Sequence, residues 1–327
     1  MTSSVTSHHM TIMESDDKGH RHGNFPNYYS FHPPQNRLLI LEQCGLMTHI
    51  RRGLFGADDD VELGDGSKST SPRKRRRLEN EAYAAEEATR DSDATECKDD
   101  IIFYCDLGCN EGDLTMAMAS SIRKAVNNNW QIIRCLGLDI DPTLVQRASD
   151  KFSLKDEGDN SEKNVLPVFK ACNLCSDDEH NNACSSFFLN TTNTQQESIP
   201  KELFSLTTIF STTMWIHVHG GDDGLTKFLK RACEWTKKYL LIEPQHSTNY
   251  RKVNKRLRTM KRPEIDVSAE RLKMRTDIEG EIEKVVTACG FRRVQLDVEA
   301  GEQAEDLRTA WKRTLQLYER TEMSEKD

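Results

Sequence analysis

The chain has 327 residues, with 45 lysines and arginines against 53 aspartates and glutamates and a formal net charge of −8. This acidic balance excludes a protein that coats nucleic acid through its overall charge, although it leaves room for a local basic face. A composition of 36% hydrophobic and 30% charged residues is typical of one folded domain interrupted by polar insertions. No apolar run is long enough to cross a bilayer or to form a signal peptide, so we expect a soluble intracellular protein.

The first hundred residues are predicted to contain two disordered stretches. Residues 1–20 are polar and poor in aliphatic side chains, which predicts a disordered tail. Residues 21–55 combine an aromatic patch with a helical start near Arg37, and we expect a lid and docking segment. Residues 56–100 read as a disordered acidic and basic insertion around the basic cluster 73–77. That cluster resembles an import signal, so we expect a cytoplasmic protein, with the nucleus as an alternative location.

The most informative motif is a glycine turn at residues 106–113. An apolar strand over 101–105 leads into it, and a helix over 114–126 follows. The spacing from Asp106 to Gly112 is acidic-x-Gly-x-x-x-Gly, without the middle glycine of the dinucleotide motif, which disfavours an NAD-type oxidoreductase. An acidic strand end repels phosphate and attracts a cation. The turn therefore indicates S-adenosylmethionine, which carries a sulfonium and an ammonium.

A second strand is predicted over residues 132–139, with Asp139 at its carboxyl end. A carboxylate in this position can accept hydrogen bonds from both hydroxyls of a ribose. The next helix has Asp141 as its N-cap and Pro142 at its first position. Strand, helix and strand form a βαβ unit, which predicts an α/β domain.

A third strand is predicted over residues 165–169, and the pair 173–174 beyond its end is expected to approach the adenine. Cys172 and Cys175 form a C-x-x-C without a second pair, so we expect no metal site. Residues 176–200 read as a polar insertion.

A fourth strand over residues 203–210 brings the segment 211–217 to the carboxyl edge of the sheet. That edge is where open α/β sheets bind their ligands. Helical spacing follows over 222–238, and 239–243 is a fifth strand.

The C-terminal part is predicted to complete the sheet. Residues 249–261 form a basic helix, and 279–289 form a helix closed by Gly290. Two last strands over 291–298 and 315–318 give seven. The expected fold is a Rossmann-like class I methyltransferase over residues 101–320, with a mostly parallel sheet, an antiparallel last strand and a tail at 321–327.

Six motifs together resemble the bicoid-interacting-protein-3 family of RNA 5′-phosphate methyltransferases. They are Gly23-Asn24-Phe25-Pro26 and the segments 106–110, 138–141, 213–217, 221–225 and 243–245. The form of the N-terminal aromatic patch and the late Trp311-Lys312-Arg313 resemble the 5′-monophosphate enzymes of the family. The resemblance covers most of the chain outside the tail and the insertions.

The glycine motif and the resemblance together imply a set of cofactor contacts. These are Asn24, Tyr28, Arg37, Asp106, Gly108, Asn110, Gly112, Asp139, Asn173, Leu174 and Phe210. Two positions depart from the family pattern. Asn173 stands where related enzymes often have Asp, and His246 stands where Trp is usual.

The acceptor side is predicted from the segment after the fourth strand and from the basic helix. Trp215 and His217 lie beside the expected methyl position, and His217 is chosen as a phosphate donor. The candidate contacts to phosphate and RNA are Arg251, Lys255, Arg256 and Arg258. The first, second and fourth of these follow an i, i+4, i+7 spacing, which predicts a single helix face.

The resemblance implies an enzyme that uses S-adenosylmethionine to methylate the 5′-monophosphate of small RNAs, such as histidine tRNA or microRNA precursors. We expect a monomer without metal or membrane partners. Because a terminal phosphate has a second pKa near 6, it is mostly a dianion at neutral pH and needs no general base. The alternatives are another acceptor (an RNA 5′-triphosphate cap, a protein or a small metabolite) and a non-catalytic RNA-binding scaffold.

Overall fold

The computed structural model describes residues 28–31, 33–55, 101–124, 132–153, 165–192, 200–259, 261–295 and 313–321. The predicted tail 1–20, the insertion 56–100 with its basic cluster, and residues 322–327 lie outside the described residues. Asn24 also lies outside them.

Within the described ranges the strands are β1 (Ile101–Leu107), β2 (Ile132–Asp139), β3 (Val165–Ala171), β4 (Phe204–Phe210), β5 (Thr236–Glu243), β6 (Phe291–Arg293) and β7 (Gln316–Arg320). The helices are α1 (Tyr28–Phe31), α2 (Pro34–Gln43), α3 (Leu46–Phe55), α4 (Asp113–Lys124), α5 (Pro142–Ser153), α6 (Asp177–Thr192), α7 (Thr213–Trp235), α8 (Val253–Thr259) and α9 (Ile278–Ala288).

These strands form one seven-stranded sheet in the order β3-β2-β1-β4-β5-β7-β6. β1 pairs in parallel with both β2 and β4, whereas β7 pairs antiparallel with both β5 and β6. The predicted mostly parallel sheet with an antiparallel last strand is therefore confirmed. The strand order reverses direction between β1 and β4, which opens a crevice at the carboxyl ends of the strands.

Side chains alternate between the two faces of the sheet, as the strand period requires. On β1, Cys105 and Leu107 join the core beneath α6, α7 and α9. Ile102 and Tyr104 join the core on the opposite face, together with residues of α2, α3 and α4. Both faces are covered, which explains why the central strands read as nearly continuous apolar runs.

The N-terminal segment docks on one of these cores. α2 starts with Pro34 at its first turn, where a missing amide hydrogen costs nothing. Leu41, Met47 and Ile50 are buried against the sheet. The sequence indicates a short helix near Arg37, but α3 was not predicted.

The structure corrects the prediction of a polar insertion at residues 176–200, because most of the described part of this segment is the helix α6. Ala183, Cys184, Phe187 and Phe188 are buried. Their spacing gives an apolar stripe, which the many Asn, Ser and Thr residues of the same helix obscure. The insertion is a structural layer of the domain.

Several predicted boundaries also shift. β6 ends at Arg293 instead of 298, and β7 extends to Arg320. α7 begins at Thr213, before the predicted start at 222, and bends at Gly221, whose φ of 69° is left-handed. None of the helices in the described ranges is long and apolar enough to span a membrane.

Candidate active site

The glycine turn lies between β1 and α4, at the carboxyl end of β1. Gly108 and Gly112 have φ values of 97° and 78°, which favour glycine. A Cβ on Gly108 would collide with Thr212, and one on Gly112 would lie 2.7 Å from the ring of Phe169. The Gly108 amide donates to the Leu138 carbonyl at 2.7 Å and ties the turn to the end of β2. The turn lies where the sequence predicts it, directly after β1.

Asp106 lies inside the fold beneath this turn. Its two carboxylate oxygens accept hydrogen bonds from Thr115 of α4 at 2.6 Å and from Thr208 of β4 at 2.7 Å. Burial raises the pKa of Asp106 to about 6, although both hydrogen bonds act in the opposite direction. The sequence predicts that the negative charge of Asp106 attracts the cationic cofactor. In the structure this carboxylate connects β1 to α4 and to β4 through the two threonines.

Asp139 stands at the end of β2, as predicted. Its carboxylate accepts from the Asn110 amide at 2.9 Å and from the Asp141 amide at 3.0 Å. Asn110 has a φ of 52°, a left-handed conformation that asparagine tolerates. The structure thus brings the ribose candidate and the glycine turn together through a direct hydrogen bond.

The loop after β3 is held close to Asp139. The Cys172 amide donates to the Asp139 carbonyl at 2.8 Å. The side-chain oxygen of Asn173 accepts from a backbone amide two residues on, so it shapes its own turn. Leu174 is buried, and its carbonyl accepts from Arg231 of α7.

Arg231 of α7 holds this loop in place. Its Nε donates to Nδ1 of His180 at 2.6 Å, and its guanidinium also pairs with Asp177. Burial lowers the pKa of His180 to about 4, so its ring is neutral near pH 7 and accepts the hydrogen bond from Arg231.

Arg37 lies at the carboxyl ends of β4 and β5 and is only 2% exposed. Its Nε donates to the fully buried Glu243 at 2.8 Å, and its Nη2 donates to the hydroxyls of Tyr28 and Ser211, each at 3.1 Å. Its guanidinium carbon lies 5.6 Å from the centre of the Phe210 ring. Burial acts to lower the pKa of Arg37, but Glu243 and Tyr28 outweigh it and raise the pKa.

Two further arginines converge on the same place. Arg313, which precedes β7, donates to Ser211 and lies 3.6 Å from an oxygen of Glu243. Burial lowers the pKa of Arg256 on α8, and the positive charge of Arg313 lowers it further. We call Arg37, Arg256 and Arg313, with Glu243 and Ser211, the arginine cluster.

His217 does not face the crevice, which corrects its predicted role as a phosphate donor. It is fully buried, and both of its ring nitrogens are engaged, with the Tyr250 hydroxyl at 2.8 Å and with Asp222 at 2.7 Å. Trp215 is half-buried, and its ring stacks on His219 at a centroid distance of 6.3 Å.

The predicted basic helix is divided into a 3₁₀ turn over Ser247–Lys252 and then α8. Arg251 lies on the turn, whereas Lys255 and Arg258 lie on α8. The predicted single α-helical face for these three is therefore wrong, although all three are exposed. Arg256 lies half-buried in the arginine cluster.

Sequence reasoning missed the residues that organise the acceptor side. Glu243 and Gln245 were noted only as parts of a family motif. In the structure Gln245 accepts from the amide of Met214 and from Thr213, so it caps the start of α7. Arg313 was noted only for its likeness to the family. No spacing rule links these positions, because only the fold brings them together.

The strand order, the antiparallel β7 and the glycine turn beside Asp139 are those of a class I S-adenosylmethionine-dependent methyltransferase fold. Residues 204–320 match the family model "Bicoid-interacting protein 3 (Bin3)". This segment contains β4 to β7, the Trp215 motif and most of the arginine cluster. The resemblance predicted from the motifs is thus confirmed by the match of residues 204–320 to that family's model.

Curated relatives span nearly the whole chain. A pre-miRNA 5′-monophosphate methyltransferase of Xenopus laevis is 26% identical over 84% of this chain and 85% of its own length. The protein of the same name from Danio rerio is 26% identical over 95% and 97%. The RNA 5′-monophosphate methyltransferase of Homo sapiens is 26% identical over 81% and 71%.

Solved structures with a similar fold are more distant. A magnesium protoporphyrin IX methyltransferase from Synechocystis is 14% identical, covers 67% of this chain and 74% of its own, and has a TM-score of 0.37. The methyltransferase domain of bacterial CtHen1-C is 16% identical over 66% and 88%, with the same TM-score of 0.37.

Proposed function

We propose that this chain is an S-adenosylmethionine-dependent O-methyltransferase that methylates the 5′-monophosphate of small RNAs. The arginine cluster is the observation that carries the proposal. The guanidinium groups of Arg37 and Arg313 lie beside one buried carboxylate, Glu243, and the charge of Arg313 acts on a third arginine, Arg256. The excess of positive charge matches a phosphate dianion, and arginine binds phosphate in a bidentate geometry. The names of the curated relatives support the same acceptor.

The cofactor cradle fits S-adenosylmethionine. The glycine turn lies at the carboxyl end of β1, the Asp139 carboxylate suits ribose hydroxyls, and the loop at Asn173 and Leu174 lies next to it. When bound, S-adenosylmethionine supplies an electrophilic methyl group on a sulfonium. Tyr28 contacts Arg37 at the arginine cluster, while the charge of Asp106 acts on Tyr29. The proposed lid would thus bridge the two halves of the crevice.

Alignment is the main task of the protein in this reaction, because the phosphate oxygen is already a nucleophile at neutral pH. The arginines hold the phosphate at the ends of β4 and β5, and the aromatic side chains of Tyr28 and Phe210 exclude water beside it. Neither a general base nor a metal ion is part of this proposal.

The proposal extends to the setting of the reaction. The RNA would be a transfer RNA or a microRNA precursor, in line with the relatives named for pre-miRNA. The protein would act as a monomer in the cytoplasm, with the nucleus as the alternative that the basic cluster 73–77 raises.

The decisive test compares two RNAs that differ only at their 5′ end. Mass spectrometry after incubation with S-adenosylmethionine should show methyl groups on the terminal nucleotide of the 5′-phosphorylated RNA and none on the 5′-hydroxyl RNA. Equal labelling of both would overturn the proposal. Labelling of a 5′-triphosphate RNA, a protein or a metabolite instead would favour the alternative acceptors.

A variant links the result to the arginine cluster. Arg313→Gln should lower kcat/KM for 5′-phosphorylated RNA by roughly 10- to 100-fold, because a charge-assisted hydrogen bond is lost. The affinity for S-adenosylhomocysteine should stay within about twofold of wild type. Arg292→Gln, on the exposed side chain that pairs with Glu319, is the matched control.

A further inference from the structure

Three hydrogen-bonded side chains cross the small core between α7 and the 3₁₀ turn at Ser247–Lys252. The ring of His217 bonds Tyr250 through Nδ1 and Asp222 through Nε2, at 2.8 and 2.7 Å. His217 and Tyr250 are both fully buried, and their rings meet edge to face at 5.5 Å. We call Asp222, His217 and Tyr250 the histidine bridge.

The hydrogen bonds of the bridge have a fixed direction. Burial lowers the pKa of His217 against the opposing influence of Asp222, and burial raises the pKa of Tyr250. The imidazole is thus neutral and the phenol keeps its proton. His217 Nε2–H donates to the Asp222 carboxylate, and the Tyr250 hydroxyl donates to Nδ1. His217 has no ring nitrogen left for a phosphate.

Each end of the bridge holds a different part of the chain. Asp222 also accepts from the amides of Lys273 and Met274 at 3.0 and 3.2 Å, which fixes the 3₁₀ turn before α9. Tyr250 lies in the 3₁₀ turn that runs directly into α8. Val253 and Leu257 of α8 pack in the same core.

Arg256 lies on α8, three residues after Val253. α8 buries its apolar side in the core of the bridge and carries Arg256 into the arginine cluster, where the charge of Arg313 acts on it. A short helix of seven residues has little stability of its own. Its position therefore depends on tertiary contacts, which are its packing and hydrogen bonds toward α7 and the two hydrogen bonds between Asn254 and the backbone of Ile265.

We infer that the histidine bridge positions α8, and with it Arg256, for binding the 5′-phosphate of the RNA. This inference rests on the proposed function, since it assigns the bridge to the acceptor side of that site. His217 and Tyr250 are positioning residues that never touch the substrate. The bridge thereby replaces the direct role that the sequence suggests for His217.

Tyr250→Phe is the sharpest variant, because it removes one hydroxyl and keeps the packed ring. We expect the KM for 5′-phosphorylated RNA to rise by about fivefold, as the loss of one buried hydrogen bond predicts. The kcat and the affinity for S-adenosylhomocysteine should change by less than twofold. Tyr318→Phe is the matched control, because its buried hydroxyl has no hydrogen bond within the described ranges. Equal effects of the two variants on the RNA KM would overturn the inference.

A double-mutant cycle tests whether the bridge acts through Arg256. Arg256→Gln alone should weaken RNA binding, and Tyr250→Phe should add little to it, because Arg256 is then already lost. Fully additive losses in the RNA dissociation constant, measured by fluorescence anisotropy, would contradict the inference.

Hydrogen exchange separates this inference from the proposed function. Tyr250→Phe should speed amide exchange across α8 and leave α9 unchanged, whichever acceptor the enzyme uses. If wild-type protein fails to methylate 5′-phosphorylated RNA while α8 responds in this way, the proposed function fails and the positioning of α8 stands. Unchanged exchange in α8 would remove the basis of the inference itself.

Discussion

The two sides of the crevice are built in different ways. The cofactor side, at the ends of β1 and β2, uses backbone amides near in sequence or on adjacent strands, as when Asp139 accepts from Asn110 and Asp141. The acceptor side uses charged side chains from distant segments, and Arg37 and Glu243 are separated by 206 positions. Backbone recognition can be encoded in a short motif, whereas a charge cluster requires the complete fold.

The two sides also differ in their electrostatics. On the cofactor side the buried Asp106 is held by neutral threonine hydroxyls. On the acceptor side two guanidinium groups, those of Arg37 and Arg313, share one buried carboxylate, Glu243. A buried ion pair adds little net stability against an apolar replacement, but removing one partner is costly. The acceptor side is therefore the more fragile of the two.

The largest effect is expected from Glu243→Gln. The variant removes the carboxylate that Arg37 and Arg313 share and leaves buried positive charge uncompensated. We expect the free energy of unfolding to fall by about 4 kcal/mol in urea titration. Glu42→Gln is the control, because its pair with Arg51 is partly exposed and should cost less than about 1 kcal/mol. Similar losses for both variants would remove the contrast between buried and surface pairs.

His180, on the cofactor side, should make the free energy of unfolding depend on pH. Its pKa in the folded protein is about 4, below the ordinary value of 6.5. As the pH falls through this window, the unfolded chain takes up a proton that the folded protein does not. Unfolding is therefore favoured at low pH, by about 3 kcal/mol at most.

His180→Asn keeps an acceptor near Nδ1 for Arg231 and does not titrate in this range. Between pH 7 and about pH 4.5, the stability of wild type should fall relative to the variant by roughly 2 to 3 kcal/mol. His180→Gln should show the same change from a lower starting stability, since it displaces the acceptor. A difference that stays constant with pH would contradict the assignment.

Asp139→Asn tests the cofactor side directly. The variant keeps the shape of the side chain and loses the charge and one acceptor, so the affinity for S-adenosylhomocysteine should drop on the order of 100-fold. Isothermal titration calorimetry measures it. Asp141→Asn, which caps α5 through Thr143, should leave the affinity within about twofold of wild type. An equal drop in both variants would contradict the assignment of the ribose contact to Asp139, because asparagine caps a helix as well as aspartate does.

The smallest effects are expected at the exposed basic residues. Arg251→Gln, Lys255→Gln or Arg258→Gln should each weaken RNA binding about threefold and lower the slope of log affinity against log salt by roughly one. Anisotropy titrations over a range of potassium chloride concentrations give the slope. Lys284→Gln on α9, which pairs with Glu281, should leave it unchanged. An unchanged slope in all three variants would place the RNA elsewhere.

Much of the fold could be predicted from the sequence, because strand and helix periodicity report burial directly. The seven strands, the turn at Gly108 and the carboxylate of Asp139 were all predicted at their observed positions in the fold. α6 was missed because its polar face hides four buried apolar positions, and α3 because its apolar residues follow no start signal. Local sequence patterns therefore do not predict a helix whose formation depends on burial against the rest of the fold.

Of the two sides of the candidate active site, only the cofactor side could be predicted from the sequence. Asn110 and Asp139 meet because adjacent parallel strands align their carboxyl ends, which follows from the βαβ unit. His217 was assigned to the substrate because it follows Trp215 in a motif at the strand end. In the structure its helix turns the ring inward to Tyr250, and a position in sequence does not show that direction.

By itself the sequence determined the class of fold, the glycine turn after β1 and the acid beside it, because these depend on residues near each other along the chain. Only the tertiary structure decided which charges share Glu243 and that His217 supports a helix and does not face a ligand. The reason is physical: backbone conformation is set by local sterics and hydrogen bonds, whereas a buried charge finds its partner only when the whole chain has closed around it.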